Sequence, residues 1–111
     1  PFSSLLCHVD STMSDLDLSS NLLSGPLPDD CWANLKQLDY LNLGSNKLTG
    51  KVPPSIVSLE FLGHLDLSHN SFFGKFSFDL SNWISLEYLI LEQNKFSGTL
   101  PNTFFAQNLS N

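Results

Sequence analysis

Four asparagines, Asn21, Asn46, Asn70 and Asn94, follow one another at steps of 25, 24 and 24 residues, and Gly25, Gly50, Gly74 and Gly98 keep the same steps. Apolar residues recur around each Asn. Leucines stand five and three residues before it (Leu16 and Leu18, Leu41 and Leu43, Leu65 and Leu67, Leu89 and Leu91), and Met13, Leu38, Leu62 or Leu86 stands eight before it. Downstream come Leu23, Leu48, Phe72 and Phe96, then Leu27, Val52, Phe76 and Leu100, with Pro28, Pro53 and Pro101 closing three of the four units. A unit this short cannot bury its own leucines, so each needs a neighbour above and below, and the chain must stack as coils.

Each letter of the repeat has a physical reason. In "YLNLG", residues 40–44, leucine alternates with polar residues, which predicts a short strand with Leu41 and Leu43 inward and Tyr40, Asn42 and Gly44 outward. Equivalent strands then pair in parallel. The Asn arrives where the chain leaves the sheet, and its amide donates to and accepts from backbone groups that the turn exposes. Stacked, Asn21, Asn46, Asn70 and Asn94 are expected to form a buried structural ladder. The glycine suits a bend of positive φ or a close approach of the next coil, and the proline stiffens an extended return segment.

Composition removes several functions. With 11 Asp and Glu against 5 Lys and Arg, the formal charge of -6 repels a phosphate backbone, so nucleic acid is not an expected partner. No stretch approaches the roughly 20 apolar residues of a membrane span. The opening "PFSSLLCHVD" has neither a starting Met nor the basic flank of a signal peptide, which reads as a processed, excised or truncated chain. The serines lack a "GxSxG" context, Asp29 and Asp30 diverge on an extended segment, and His8, His64 and His69 lack metal-ligand spacing. The residues call for no enzyme chemistry, metal or cofactor.

The pattern over about residues 10–104 resembles LxxLxxLxLxxNxLxGxIP, the plant-type extracellular leucine-rich repeat. The segment "PLPDDCWANLKQLDYLNLGSNKLTGKVP" looks like plant receptor-like proteins, which carry a similar Cys-Trp unit among their ectodomain repeats. The resemblance implies an α/β solenoid of about four 24-residue repeats, with short parallel strands on the concave face and irregular or 3-10 segments on the convex face. One domain over 1–111 is expected, with repeats at roughly 13–37, 38–61, 62–85 and 86–109 after a partial repeat at 1–12. Ser77 replaces the usual second proline and Trp83 a small or aliphatic residue, so the convex side of the third unit is expected to deviate.

Cys7 and Cys31 share the repeat slot of Ile56, Leu80 and Phe104, one coil above the other. Coils at about the 4.8 Å strand spacing bring two such Cα atoms within disulfide reach. Either they pair, adding about 3 to 4 kcal/mol and placing the chain outside the cell, or they fill apolar slots as thiols. The sequon at Asn108 is a glycosylation signal compatible with secretion.

Between the leucines the outward residues form columns: Asp15, Tyr40, His64 and Tyr88; Asp17, Asn42, Asp66 and Ile90; Ser19, Gly44, Ser68 and Glu92; Ser20, Ser45, His69 and Gln93. Rings with polar tips are enriched at interfaces, and cross-strand rings also simply stabilise sheets. In extracellular leucine-rich repeats the concave face is the usual ligand surface. The resemblance thus points to Tyr40, Asn42, His64, Asp66, His69, Tyr88, Ile90 and Glu92 as a site for a protein or peptide ligand, or a receptor-kinase co-receptor. A patch of a few hundred Å2 falls short of the roughly 800 Å2 per side of a standard interface. A longer solenoid, lateral surface or weak binding is therefore implied. Phe104 and Phe105 stand where a polar cap is expected, so end-to-end self-association is a further expectation. Two other roles known for this repeat type are inhibition of a pathogen polygalacturonase and ice binding. Phe73 interrupts the ladder of Ser24, Thr49 and Ser97 that ice binding needs.

Overall fold

The computed structural model describes residues 2–76, 83 and 85–97. Strands β1 (Asp15–Asp17), β3 (Tyr40–Asn42), β5 (His64–Asp66) and β7 (Tyr88–Ile90) lie side by side in that order and run parallel. Leu16, Leu41, Leu65 and Leu89 are successive partners across them. A slip of one residue would turn every one of these leucines outward, so the alternation fixes the register. The ladder runs on past the strands. Leu18 N donates to Asn42 O (2.9 Å) and Ser20 N to Gly44 O (3.0 Å), and the same pair of bonds recurs at Leu43 and Ser45 and at Leu67 and His69.

A second parallel sheet joins β2 (Ser24–Pro26), β4 (Lys47–Gly50), β6 (Ser71–Lys75) and β8 (Lys95–Ser97). Sequence reading anticipated only an extended return segment here. The sheet forms because Leu48 and Phe72 are fully buried between exposed or half-buried neighbours, which fixes an alternating conformation, and the coil spacing then brings equivalent backbones into hydrogen-bonding range. Gly25, Gly50 and Gly74 have φ of 87°, 85° and 83°, the positive values expected of them. Ser20, Ser45, His69 and Gln93, each just before the repeat asparagine, also have φ between 55° and 58°, a left-handed step that residue type alone did not reveal.

On the far side from the first sheet lie 3-10 helices Trp32–Leu35 and Pro54–Ser58, as expected of the convex face. Helix α1 (Phe2–Leu6) is an addition to those expectations. Phe2 and Leu6 stand four apart and are both buried, so one helical turn puts both on the core. The core is one cluster that includes Leu41, Leu43, Leu48, Ile56, Leu62, Leu65, Leu67 and Phe72, all fully buried. Trp32 and Trp83 are buried as well. Their indole Nε1 groups donate to Pro28 O (2.8 Å) and Leu59 O (2.9 Å), which satisfies the polar atom of each ring. Trp83 occupies the slot that Leu59 fills one coil earlier. Ser77 lies outside the described residues, and with it most of the convex segment expected to deviate.

The asparagines stitch coil to coil. Asn70 Oδ1 accepts from Leu48 N (2.9 Å), while its Nδ2 donates to Leu43 O (2.9 Å), Ser68 O (3.1 Å) and Leu67 O (3.2 Å). Asn46 reaches back to Leu18 O and Leu23 N, and Asn94 to Leu67 O and Phe72 N. The ladder is less buried than expected: Asn46, Asn70 and Asn94 are half-buried and Asn21 is exposed. The bonds sit at the rim where the chain leaves the sheet, within reach of solvent.

Candidate functional site

The outward face of the first sheet is built by the register of its strands. Tyr40, His64 and Tyr88 are successive partners. Tyr40 and His64 stack with ring centroids 4.6 Å apart and planes at 23°, and Tyr88 lies 5.6 Å from His64 at 40°. All three are half-buried, so part of each side chain stays accessible. Asn42 and Asp66 fall in the next column, also as partners, and Ile90 ends it.

The second column has local duties that the sequence reading missed. Asp17 Oδ1 accepts from Ser19 Oγ (2.6 Å) and Ser19 N (3.0 Å), and Asp66 Oδ1 accepts from Ser68 Oγ (2.6 Å) and Ser68 N (2.9 Å). Asn42 Oδ1 accepts from Gly44 N (2.9 Å), and its Nδ2 donates to Tyr40 Oη (3.2 Å). An acid or amide two residues before Ser or Gly is the signal of this Asx turn, and it was present in "DLS" and "NLG". Gly44 is buried between these groups: a Cβ there would lie 3.1 Å from Asn42 Oδ1, 3.2 Å from Asp66 Oδ1 and 3.3 Å from Ser68 Oγ. The side-chain and backbone hydrogen bonds from Ser19 hold the Asp17 carboxyl below the ordinary carboxylate range, and those of Thr12, the backbone one first, do the same for Asp10.

His69 and Glu92 close the face at the strand ends, with His69 Nε2 3.8 Å from Glu92 Oε2 and both side chains more than half exposed. No lysine stands on this face between residues 15 and 20, 40 and 45, 64 and 69 or 88 and 93, whereas Asp15, Asp17, Asp66 and Glu92 do. The surface is thus an aromatic stripe in an acidic field, suited to a partner with apolar and cationic groups.

Cys7 and Cys31 form a disulfide with Cα atoms 5.5 Å apart, which decides between the paired and thiol alternatives. Among the described residues, Cys7, Cys31 and Asp30 form the one group of three with metal-ligand atoms close together. The disulfide uses both sulfurs, and none of the histidines joins it. No helix among the described residues is long and apolar enough to cross a membrane. Gly98, Phe104, Phe105 and the Asn108 sequon lie outside the described residues.

The leucine rich repeat family model matches residues 11–72, and a second leucine rich repeat model matches residues 85–106. Receptor-like protein 18 of Arabidopsis thaliana is 37% identical over 94 residues, covering 85% of this chain and 11% of that protein. The chain therefore spans about a tenth of the length of such relatives. Among solved structures, the Arabidopsis receptor kinase HAESA in complex with the peptide hormone IDA and the co-receptor SERK1 superposes with a TM-score of 0.79. It is 37% identical, and the match covers 93% of this chain and 17% of that one. A plant ice-binding protein superposes with a TM-score of 0.78 at 33% identity, covering 87% of this chain and 31% of that one. By the family models, the paired parallel sheets and these relatives together, the chain belongs to the leucine-rich repeat family, with repeats of the plant receptor-like protein kind.

Proposed function

We propose that the chain is an extracellular recognition segment, of the kind found in plant receptor-like proteins. Its first-sheet face contributes to binding a protein or peptide ligand, or a receptor-kinase co-receptor. The observation that carries this reading is the row of Tyr40, His64 and Tyr88, three neighbouring rings across three coils, each partly accessible. Rings of this type supply contact area at low entropic cost, and clustered aromatic residues carry most of the energy at protein interfaces. The disulfide supports a location outside the reducing cytosol. That the similar receptor kinase HAESA is found in complex with a peptide hormone and a co-receptor supports this class of partner. Four strands present less area than a standard interface needs, so the face acts as part of a longer surface.

Capture of partners from plant apoplastic fluid by the wild-type chain and by the Tyr40→Ala, Tyr88→Ala double variant tests the reading. Loss of a captured partner with an unchanged circular dichroism spectrum is the expected result. Capture that survives both substitutions moves the site elsewhere. Inhibition of a polygalacturonase by the chain would favour the inhibitor role instead. Phe73, exposed and ring-bearing, breaks the row of small hydroxyl residues that ice binding requires.

A further inference from the structure

The lysines of this chain gather on one of its two sheets. Four of the five lysines, Lys47, Lys51, Lys75 and Lys95, lie on or just after strands of the second sheet, and all four are exposed. Among the described residues no lysine has an ion-pair partner, in a chain with 11 acidic side chains. Unpaired cations gathered on one face of a net acidic molecule set up a local positive potential that the overall charge conceals.

Register places an aromatic ring among them. Phe73 pairs with Lys95, and Lys51 follows directly on the Gly50 and Phe72 pair, so Lys51, Phe73 and Lys95 form one column across three coils. Phe73 is 47% exposed, although the matching repeat positions hold Ser24, Thr49 and Ser97. The Lys51 stem crosses Gly74, where a Cβ would stand 3.0 Å from its Cγ and 3.2 Å from its Cε. Beside the column a hollow is lined by Lys51, Val52, Pro53, Pro54, Lys75 and Ser97, with Asp29 as the one carboxylate among the described residues that line it.

We infer that this lateral face is a binding site for an anionic oligosaccharide of the uronate class, separate from the aromatic stripe on the first sheet. Between neighbouring strands of the second sheet the backbone groups are taken up in the ladder, so the broad face offers side chains. A peptide strand laid across that face would find its main-chain groups already paired. A pyranose ring presents C–H groups that suit the negative face of an exposed Phe ring, and a uronate chain carries one carboxylate per sugar for the flanking ammonium groups. Lysines along successive coils match a ligand whose charge also repeats.

The test titrates the whole chain with a sized galacturonate oligomer, its methyl ester and a poly-Glu peptide of equal charge, with calorimetry and amide chemical shifts as readouts. Saturable binding of the uronate that weakens with salt, is lost with the ester and exceeds that of poly-Glu is expected. Lys51→Gln with Lys95→Gln should weaken it at least about tenfold. Phe73→Ser, which restores the side chain of two other repeats, should weaken it about as much while preserving the fold. The Tyr40→Ala, Tyr88→Ala variant should bind the uronate as the wild type does, which keeps this site distinct from the first-sheet reading. Absence of saturable binding, equal binding of poly-Glu, or full affinity in the lysine and Phe73 variants overturns the assignment.

Discussion

Asp17 ends strand β1 by accepting two hydrogen bonds from Ser19, and the charged form of the carboxyl is the better acceptor. Its folded-state pKa therefore lies below the unfolded value, with the Ser19 side-chain bond as the larger cause. The sign of the linkage follows: the contribution is present above the ordinary carboxylate pKa of about 3.9 and is lost as the pH falls through the lower folded value. NMR titration of the side-chain carboxyl should place the Asp17 midpoint below that ordinary value. Ser19→Ala should return it upward, because both the hydroxyl donor and the turn it closes are weakened. An unchanged midpoint in the variant would show that the turn has no hold on the charge. Asp10 with Thr12 repeats the arrangement one loop earlier, with the backbone N–H as the larger cause.

At the scale of elements, the repeat asparagine is the joint between coils. Asn70 serves the Leu48 amide and shares the Leu43 carbonyl with Asn46 and the Leu67 carbonyl with Asn94, groups that belong to two successive coils. Asn70→Ala orphans the Leu48 amide and takes one donor from each of the two carbonyls, and should lower stability by about 1 to 3 kcal/mol, read as a shift in urea midpoint with unchanged slope. Asn21→Ala should cost less, because its amide donates only to Leu18 O and Ser19 O and is exposed. The joint, the strand register and the positive φ of the glycines were legible in the sequence, since each is set by a residue type at a fixed step. The second sheet was not, because its strands carry few residues of high strand propensity, with Gly and Pro in β2. Their pairing arises only when coils are already stacked. Helix α1 escaped for the opposite reason: five residues hold too little periodicity to announce a helix before Phe2 and Leu6 find the core. Of the candidate site, the columns were legible from alternation. The Tyr40 stack depends on ring angles and the Asx turns on bonds between neighbours, and neither follows from strand spacing.

Across the whole molecule, stability is shared between neighbouring coils and no coil is stable by itself. Leu41 and Leu65 are fully buried, whereas Leu16 keeps 8% exposure and Leu89 is half-buried. The middle of the stack is thus where each leucine is covered from both sides. Leu65→Ala opens a cavity there and should cost about 2 to 5 kcal/mol. Because Leu65 is the partner of both Leu41 and Leu89, the loss weakens two interfaces at once. Leu89→Ala removes the same side chain from a half-buried position and should cost distinctly less, since fewer contacts and less apolar area are lost. The comparison is made by chemical denaturation of both variants under conditions that keep the Cys7 and Cys31 disulfide oxidised, so that the constraint on the first coils is common to both. If the stack behaves as coupled layers, hydrogen exchange in the Leu65 variant should rise on strands β3 and β7 as well as β5. Exchange that rises on β5 alone, or equal costs for the two leucines, would mean that the coils do not share a continuous core.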